Sequence, residues 1–262
     1  MSRVPFASCP KCGHVPLPDE QALPAACPAC GVILAKLVDH RPGHPAPTVR
    51  RAGGQAKPHG EEATGLSRLL FHVPDWVGKG QWWGRAALLA MFLVWGLRLV
   101  AMDHRNGEMG GSFLHGPLLV FHEAGHVLFR PFGTWMTILG GTLGQLIMPA
   151  VLCLALLVKN RDPFGAAMGL WLVGVSVLDV APYLFDALHP QLTLLSGGTG
   201  EDGGHDWIYL LDSVGMRARA QSLGTLVHRL GSLVVLIALA WGGRVLWLQW
   251  GRRVDGHVPD GG

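Results

Sequence analysis

The sequence predicts a mainly α fold: a multi-pass transmembrane helical bundle of about five segments, preceded by a small module built on four cysteines. Three observations carry this. Of 262 residues, 49% are hydrophobic and only 15% are charged, and the mean hydropathy is positive at +0.31. That balance suits lipid better than water. Several stretches approach the ~20 apolar residues that a membrane crossing needs, and residues 131–158 contain no charge at all. Four of the five cysteines fall in two matching CPxCG motifs near the start.

The cysteine module comes first. Cys9-Pro-Lys-Cys12-Gly and Cys27-Pro-Ala-Cys30-Gly place fourteen residues between Cys12 and Cys27, close to the spacing at which two knuckles close around one zinc ion. The glycine after each pair permits the tight turn that aims backbone amides at the thiolates. Four thiolates give a closed structural site with no open position for chemistry. Two disulfides are the competing reading, and they would need an oxidising compartment. Over residues 7–35 the chain resembles zinc-ribbon domains. That resemblance implies a four-cysteine zinc ribbon, here residues 1–38, with a possible protein partner and a place in the reducing cytoplasm. Cys153, in an apolar run, reads as a small core residue.

Residues 39–67, rich in Pro, Gly, Arg and His, read as a flexible linker. Trp76, Trp82 and Trp83, with Arg68, Lys79 and Arg85, read as an interfacial anchor. Residues 1–11 lack the apolar core of a secretory signal. Before Trp83 there are nine Lys or Arg against six Asp or Glu, and from Gly84 onward twelve of each. This surplus suits a cytoplasmic N-terminus at the cell (inner) membrane and is too weak to argue for nucleic acid.

The membrane domain occupies residues 68–262. Its candidate segments are 86–102, which carries Arg98, then 113–132, 135–158, 164–188 with Asp179 and Asp186 embedded, and 230–250. Arg98 is expected to snorkel to an interface or to pair inside the bundle. Strict alternation of five segments from a cytoplasmic N-terminus places Lys159 and Arg161 outside. Either that loop departs from the positive-inside tendency or one segment does not cross fully.

The second segment holds His122-Glu123-Ala124-Gly125-His126. Histidines four apart on a helix sit about 40° apart around its axis, so both reach one metal. Glu123 beside them is placed to take a proton from a water that the metal activates. A glutamate and two histidines are costly at membrane depth unless paired or metal-bound. His115, seven residues earlier, shares nearly the same face, as a water path, a substrate contact or simply part of a polar stripe. Arg130-Pro131 ends the helix, with a cation at its C-terminus and a residue that cannot continue it.

A catalytic zinc takes three protein ligands and keeps one position open. Asp179, Asp186, His205 and Asp206 are all candidates for the third. Asp179 and Asp186 are two helical turns apart, and Pro182 is expected to break or kink the helix between them. His205 and Asp206 follow the glycine-rich loop 196–204, where a helix N-cap is an equal reading.

The HEAGH helix, the run Gly140-Gly141-Thr-Leu-Gly144-Gln145, and Pro182-Tyr-Leu-Phe-Asp186-Ala resemble the site-2 protease family of intramembrane zinc metalloproteases. The resemblance spans roughly residues 113–188. It implies that His122, His126 and Asp186 hold a catalytic zinc, that Glu123 activates water, and that the substrate is a membrane-associated protein. Asp186 precedes Ala187 where that family has glycine. The alternative from the residues themselves is a non-catalytic metal-binding membrane protein whose ribbon docks a partner or senses. Ion transport is a third reading.

Overall fold

The structure, a computed structural model, describes residues 6–9, 13–15, 17, 25–29, 31–34, 65–74 and 77–254. The chain divides into two units, residues 1–60 and 61–262. In the first, Cys9 and Cys27 are buried with Leu34, against Phe6, Leu17 and Val32. The two cysteine segments repeat one hydrogen-bond pattern. Gly13 N–H donates to Cys9 O and Gly31 N–H to Cys27 O, both at 2.8 Å, while Cys9 N–H and Cys27 N–H donate to His14 O and Val32 O. Gly13 and Gly31 take φ of +72° and +69°, the left-handed turn that glycine permits. Cys12 and Cys30 lie outside the described residues, as do Trp76 and linker residues 39–64.

The second unit is helical. Its elements in order are α1 (Gly65–Leu70), β1 (Val77–Gly78), α2 (Lys79–Val100), α3 (His115–Phe129), α4 (Thr134–Leu154), α5 (Pro163–Asp186), α6 (Asp206–Ser213), α7 (Ala220–Trp250) and β2 (Arg253–Val254). A π turn at Ala155–Lys159 extends α4. β2 pairs in parallel with β1. Residues 65–67 of the expected linker are helical, within α1.

Among the described residues, four helices are long and apolar enough to cross a membrane: Lys79–Val100, Thr134–Lys159, Pro163–Asp186 and Arg217–Trp250. This is consistent with an integral membrane protein. The expected fifth segment is corrected. The motif helix α3 has only 15 residues, about 22 Å at 1.5 Å per residue, against a hydrocarbon core of ~30 Å.

The helix directions place Lys159 and Arg161. Arg85 near the start of α2 bonds Asp162 at 3.1 Å and lies over the Phe164 ring at the start of α5. The opposite end of α5 presents Phe185 to His104, just beyond α2. So α2 and α5 run the same way, α4 runs back between them, and the 159–162 loop returns to the end where α2 began. Trp82, buried there, donates to Leu246 O at 3.0 Å and packs edge-on against Trp83 and Trp250, with Arg253 over Trp250 and Trp82. Of the expected anchor residues, Trp82 and Trp83 thus cluster with Trp250 and Arg253. Arg98 is exposed in the last turn of α2, as snorkelling requires.

The central helix is α5, with 72% of its most apolar stretch buried, against 11% for α2. Lipid provides no hydrophobic drive between helices, so small residues that let backbones approach do that work. On the α5–α7 seam, a Cβ at Gly231 would meet Leu178 N at 2.9 Å, and one at Gly174 would meet Val235 N at 2.8 Å. The closed seam joins Trp171, Val175, Leu178, Val235 and Ala238 in one core. Pro182 does not break α5, which runs through it to Asp186.

Candidate metal centre

The site begins with the α3–α4 contact. A Cβ on Gly125 would collide with Gly140 O, and one on Gly144 with Phe121 O, so these helices touch backbone to backbone. That approach brings the imidazoles of α3 against polar groups of α4. His122 Nδ1 lies 2.8 Å from Gln145 Oε1, and His126 Nδ1 lies 2.9 Å from Thr137 O.

These contacts determine where the ring protons sit. A carbonyl only accepts, so His126 carries its proton on Nδ1 and donates it to Thr137 O. The Gln145 amide is oriented by its other face. Its Nε2 donates to Ser176 O and to Asp179 Oδ2, each at 3.4 Å, and both partners are acceptors. Oε1 therefore faces His122, and His122 Nδ1–H donates to it. With Nδ1 engaged in this way, both Nε2 atoms are turned away from α4's polar groups, the arrangement in which a neutral histidine binds metal.

The two Nε2 atoms converge on one carboxylate. Asp206 Oδ2 lies 2.9 Å from His122 Nε2 and 3.3 Å from His126 Nε2. Asp206 opens α6, and its backbone N–H donates to Tyr183 Oη at 3.0 Å. Asp206 Oδ2 only accepts, so protons on the Nε2 atoms can hold these pairs; with both rings neutral, one metal ion can take the place of those protons. Ligands about 2.0–2.1 Å from a tetrahedral ion lie roughly 3.3–3.4 Å apart; the His126–Asp206 separation matches this, and the 2.9 Å His122–Asp206 separation is shorter, a hydrogen-bond distance. The point between the rings is open because residue 141 is glycine: a Cβ there would collide with His122 Nε2 and sit 2.6 Å from His126 Nε2.

Glu123 stands beside this cluster. One donor atom each from His122, Glu123 and His126 fall within 4.8 Å of one another, so the group could hold a metal ion. His122 is buried, His126 half-buried and Glu123 exposed. All three border a cavity of about 570 Å³, together with Thr142, Tyr183 and Asp206. Thr142 Oγ1 is buried without a hydrogen-bond partner among the described residues.

The carboxylate beside the two histidines is Asp206; Asp186, the expected third ligand, makes other contacts. Asp186 Oδ1 accepts from Gln191 N at 2.8 Å and Leu192 N at 3.2 Å, and Oδ2 lies 3.5 Å from His205 Nε2. Its acceptor capacity is spent on the turn after α5. His205 is the N-cap of α6, with Nδ1 accepting from Ile208 N, and its ring stacks on Tyr183 at 4.1 Å. These two residues set the position from which Asp206 projects. Asp179 accepts from His115 Nδ1 at 2.8 Å. His115, Asp179, Gln145, His122 and Asp206 thus form one polar chain along the cavity wall.

Gln145, Thr137 and Gly141 were not singled out from sequence as partners of the histidines. Gln145 left a signal, as the one amide in the charge-free run 131–158, since an unpaired amide in hydrocarbon is costly. Thr137 acts through its backbone and Gly141 through a missing side chain, so neither leaves a chemical mark. No protein-family model, curated protein or solved structure matches this chain.

Proposed function

We propose that this protein is an intramembrane zinc metalloprotease that hydrolyses a peptide bond in a membrane-associated protein. The supporting observation is the convergence of two imidazole Nε2 atoms and the Asp206 carboxylate on one glycine-cleared point beside Glu123. His122, His126 and Asp206 would hold the zinc ion. When bound, zinc supplies a Lewis acid and lowers the pKa of a water ligand toward ~7.

The residues of this chain do the rest. Glu123 accepts the proton of the attacking water and returns it to the leaving amine nitrogen. Thr142 Oγ–H, buried at the cavity wall without a partner among the described residues, is a donor for the oxygen that becomes negative as the carbonyl is attacked. Leu119, Val180, Leu192 and Leu195 provide the apolar part of the cavity lining, suited to side chains from a membrane segment. Asp179 keeps the Gln145 amide in the orientation that holds His122 in its ligating tautomer.

Cys9, Cys12, Cys27 and Cys30 would hold a second, structural zinc. The repeated turns at Cys9 and Cys27 and the burial of both support this reading. The N-terminal module is then a cytoplasmic docking or regulatory element of an inner-membrane enzyme.

Glu123→Gln tests the reaction. Membrane-site metal is expected to stay bound while cleavage of a co-expressed membrane substrate falls by roughly 10²–10⁴-fold. Equal processing by the variant would remove the enzyme reading and leave a metal-binding membrane protein.

A further inference from the structure

A second cavity, of about 510 Å³, lies away from the metal centre and has a different chemistry. Its lining includes Arg105, from the turn after α2, and Arg229 of α7, with Gln221, Ser222 and Thr225 between them. Two guanidinium groups from separate elements therefore share one concavity with an amide and two hydroxyls. Arg229 makes no ion pair among the described residues, and Arg105 has one exposed contact, to Asp103 at 3.9 Å. Burial, the neighbouring His228 and the charges of Arg105 and Arg229 together hold the His104 imidazole below its ordinary pKa, against the opposing pull of Asp103. The local field is positive.

What lies below this cavity identifies the occupant. Leu226 lines it, and Leu226, Leu230, Leu233 and Ile237 are each about half exposed. Spaced 4, 3 and 4 residues apart, they form one stripe down α7. The stripe is about 16 Å long at 1.5 Å per residue, roughly half the ~30 Å hydrocarbon core and so one leaflet deep. No charge occurs from Leu230 to Gly243. Arg229 is the last cation before the apolar run.

We propose that this cavity binds an anionic phospholipid, its phosphate between Arg105 and Arg229 and an acyl chain along the Leu226–Ile237 stripe. Planar guanidinium groups grip phosphate in pairs of hydrogen bonds, and basic pockets between membrane helices are a known type of headgroup site. The hydroxyl of Ser222 adds a donor for a remaining phosphate oxygen. This site does not depend on the metal or on proteolysis.

Native mass spectrometry of the full chain, released from mixed phosphatidylglycerol and phosphatidylcholine nanodiscs, tests it. Wild type is expected to retain phosphatidylglycerol in preference. R105Q and R229Q should each lower that preference about fivefold, and the double variant about 25-fold, following ~1 kcal/mol per arginine near a charged surface. R229K should keep part of it. Both arginines are exposed, so these changes leave the core intact; unchanged membrane-site metal content confirms folding. Equal retention of the two lipids by wild type, or an undiminished preference in the double variant, overturns the proposal. Displacement of phosphatidylglycerol by millimolar inorganic phosphate, with no effect of L230A/L233A on retention, also overturns it, because the site would then be one for soluble phosphate.

Discussion

The α3–α4 and α5–α7 pairs use the same device to different ends. In both, glycines bring two antiparallel helices into backbone contact. At α5–α7 the space is filled by Leu178 and Val235, and the seam is apolar and closed. At α3–α4 the neighbours are His122 and His126, and Gly141 leaves open the point their ring nitrogens face. Close approach supplies proximity alone. Whether the seam becomes core or site depends on whether the side chains beside it carry lone pairs.

The sharpest way to break this contrast is Gly141→Ala. Its methyl group would occupy the space between the two Nε2 atoms, so membrane-site metal should fall more than 100-fold while the helices persist. Metal analysis and circular dichroism on a protein with Cys12 and Cys30 changed to serine would read both. Wild-type metal content in that variant would refute the ligand geometry.

Asp206→Ala should cost nearly as much, since it removes the carboxylate that both rings face. Asp186→Ala should lower metal content less, and act mainly on stability. It leaves the Gln191 and Leu192 amides unpaired, at about 1–3 kcal/mol each where they are buried. A titration showing the reverse ranking would return the third position to Asp186, as the family resemblance implies.

Gln145→Leu removes the acceptor that fixes the His122 tautomer. Loss of such an outer partner weakens metal binding about 10–100-fold, and ¹⁵N spectra of the metal-free protein should show His122 losing its defined Nδ1–H form. The smallest effect on metal belongs to Gly231→Ala. Overpacking there should destabilise by about 1–3 kcal/mol with metal affinity unchanged. A loss of metal in this variant would mean that the two seams are not independent.

The membrane class, the motif helix and its two histidines were legible from residue type and local spacing. Hydropathy is a property of composition, and positions four apart on one helix share a face in any tertiary context. The span count was not legible, because residues 113–132 are apolar over a length that the backbone does not keep helical. α3 stops at Phe129 where Arg130-Pro131 begins a 3-10 turn. Nor was Asp206 separable from Asp186. Both aspartates stand near the end of a helix and near a histidine, and their spacing from His122 in sequence says nothing of distance in space.

Sequence alone determined which atoms could bind a cation: two imidazoles on one helical face, a glutamate between them, and four later candidates. Tertiary structure decided which of those atoms meet. The turn after α5 takes up the acceptors of Asp186, Tyr183 and His205 place the start of α6, and the glycine seam sets ring against carbonyl. Each of these is a contact between segments far apart in the chain, set by packing and by the need of buried polar groups for partners. No local pattern of residues encodes that need.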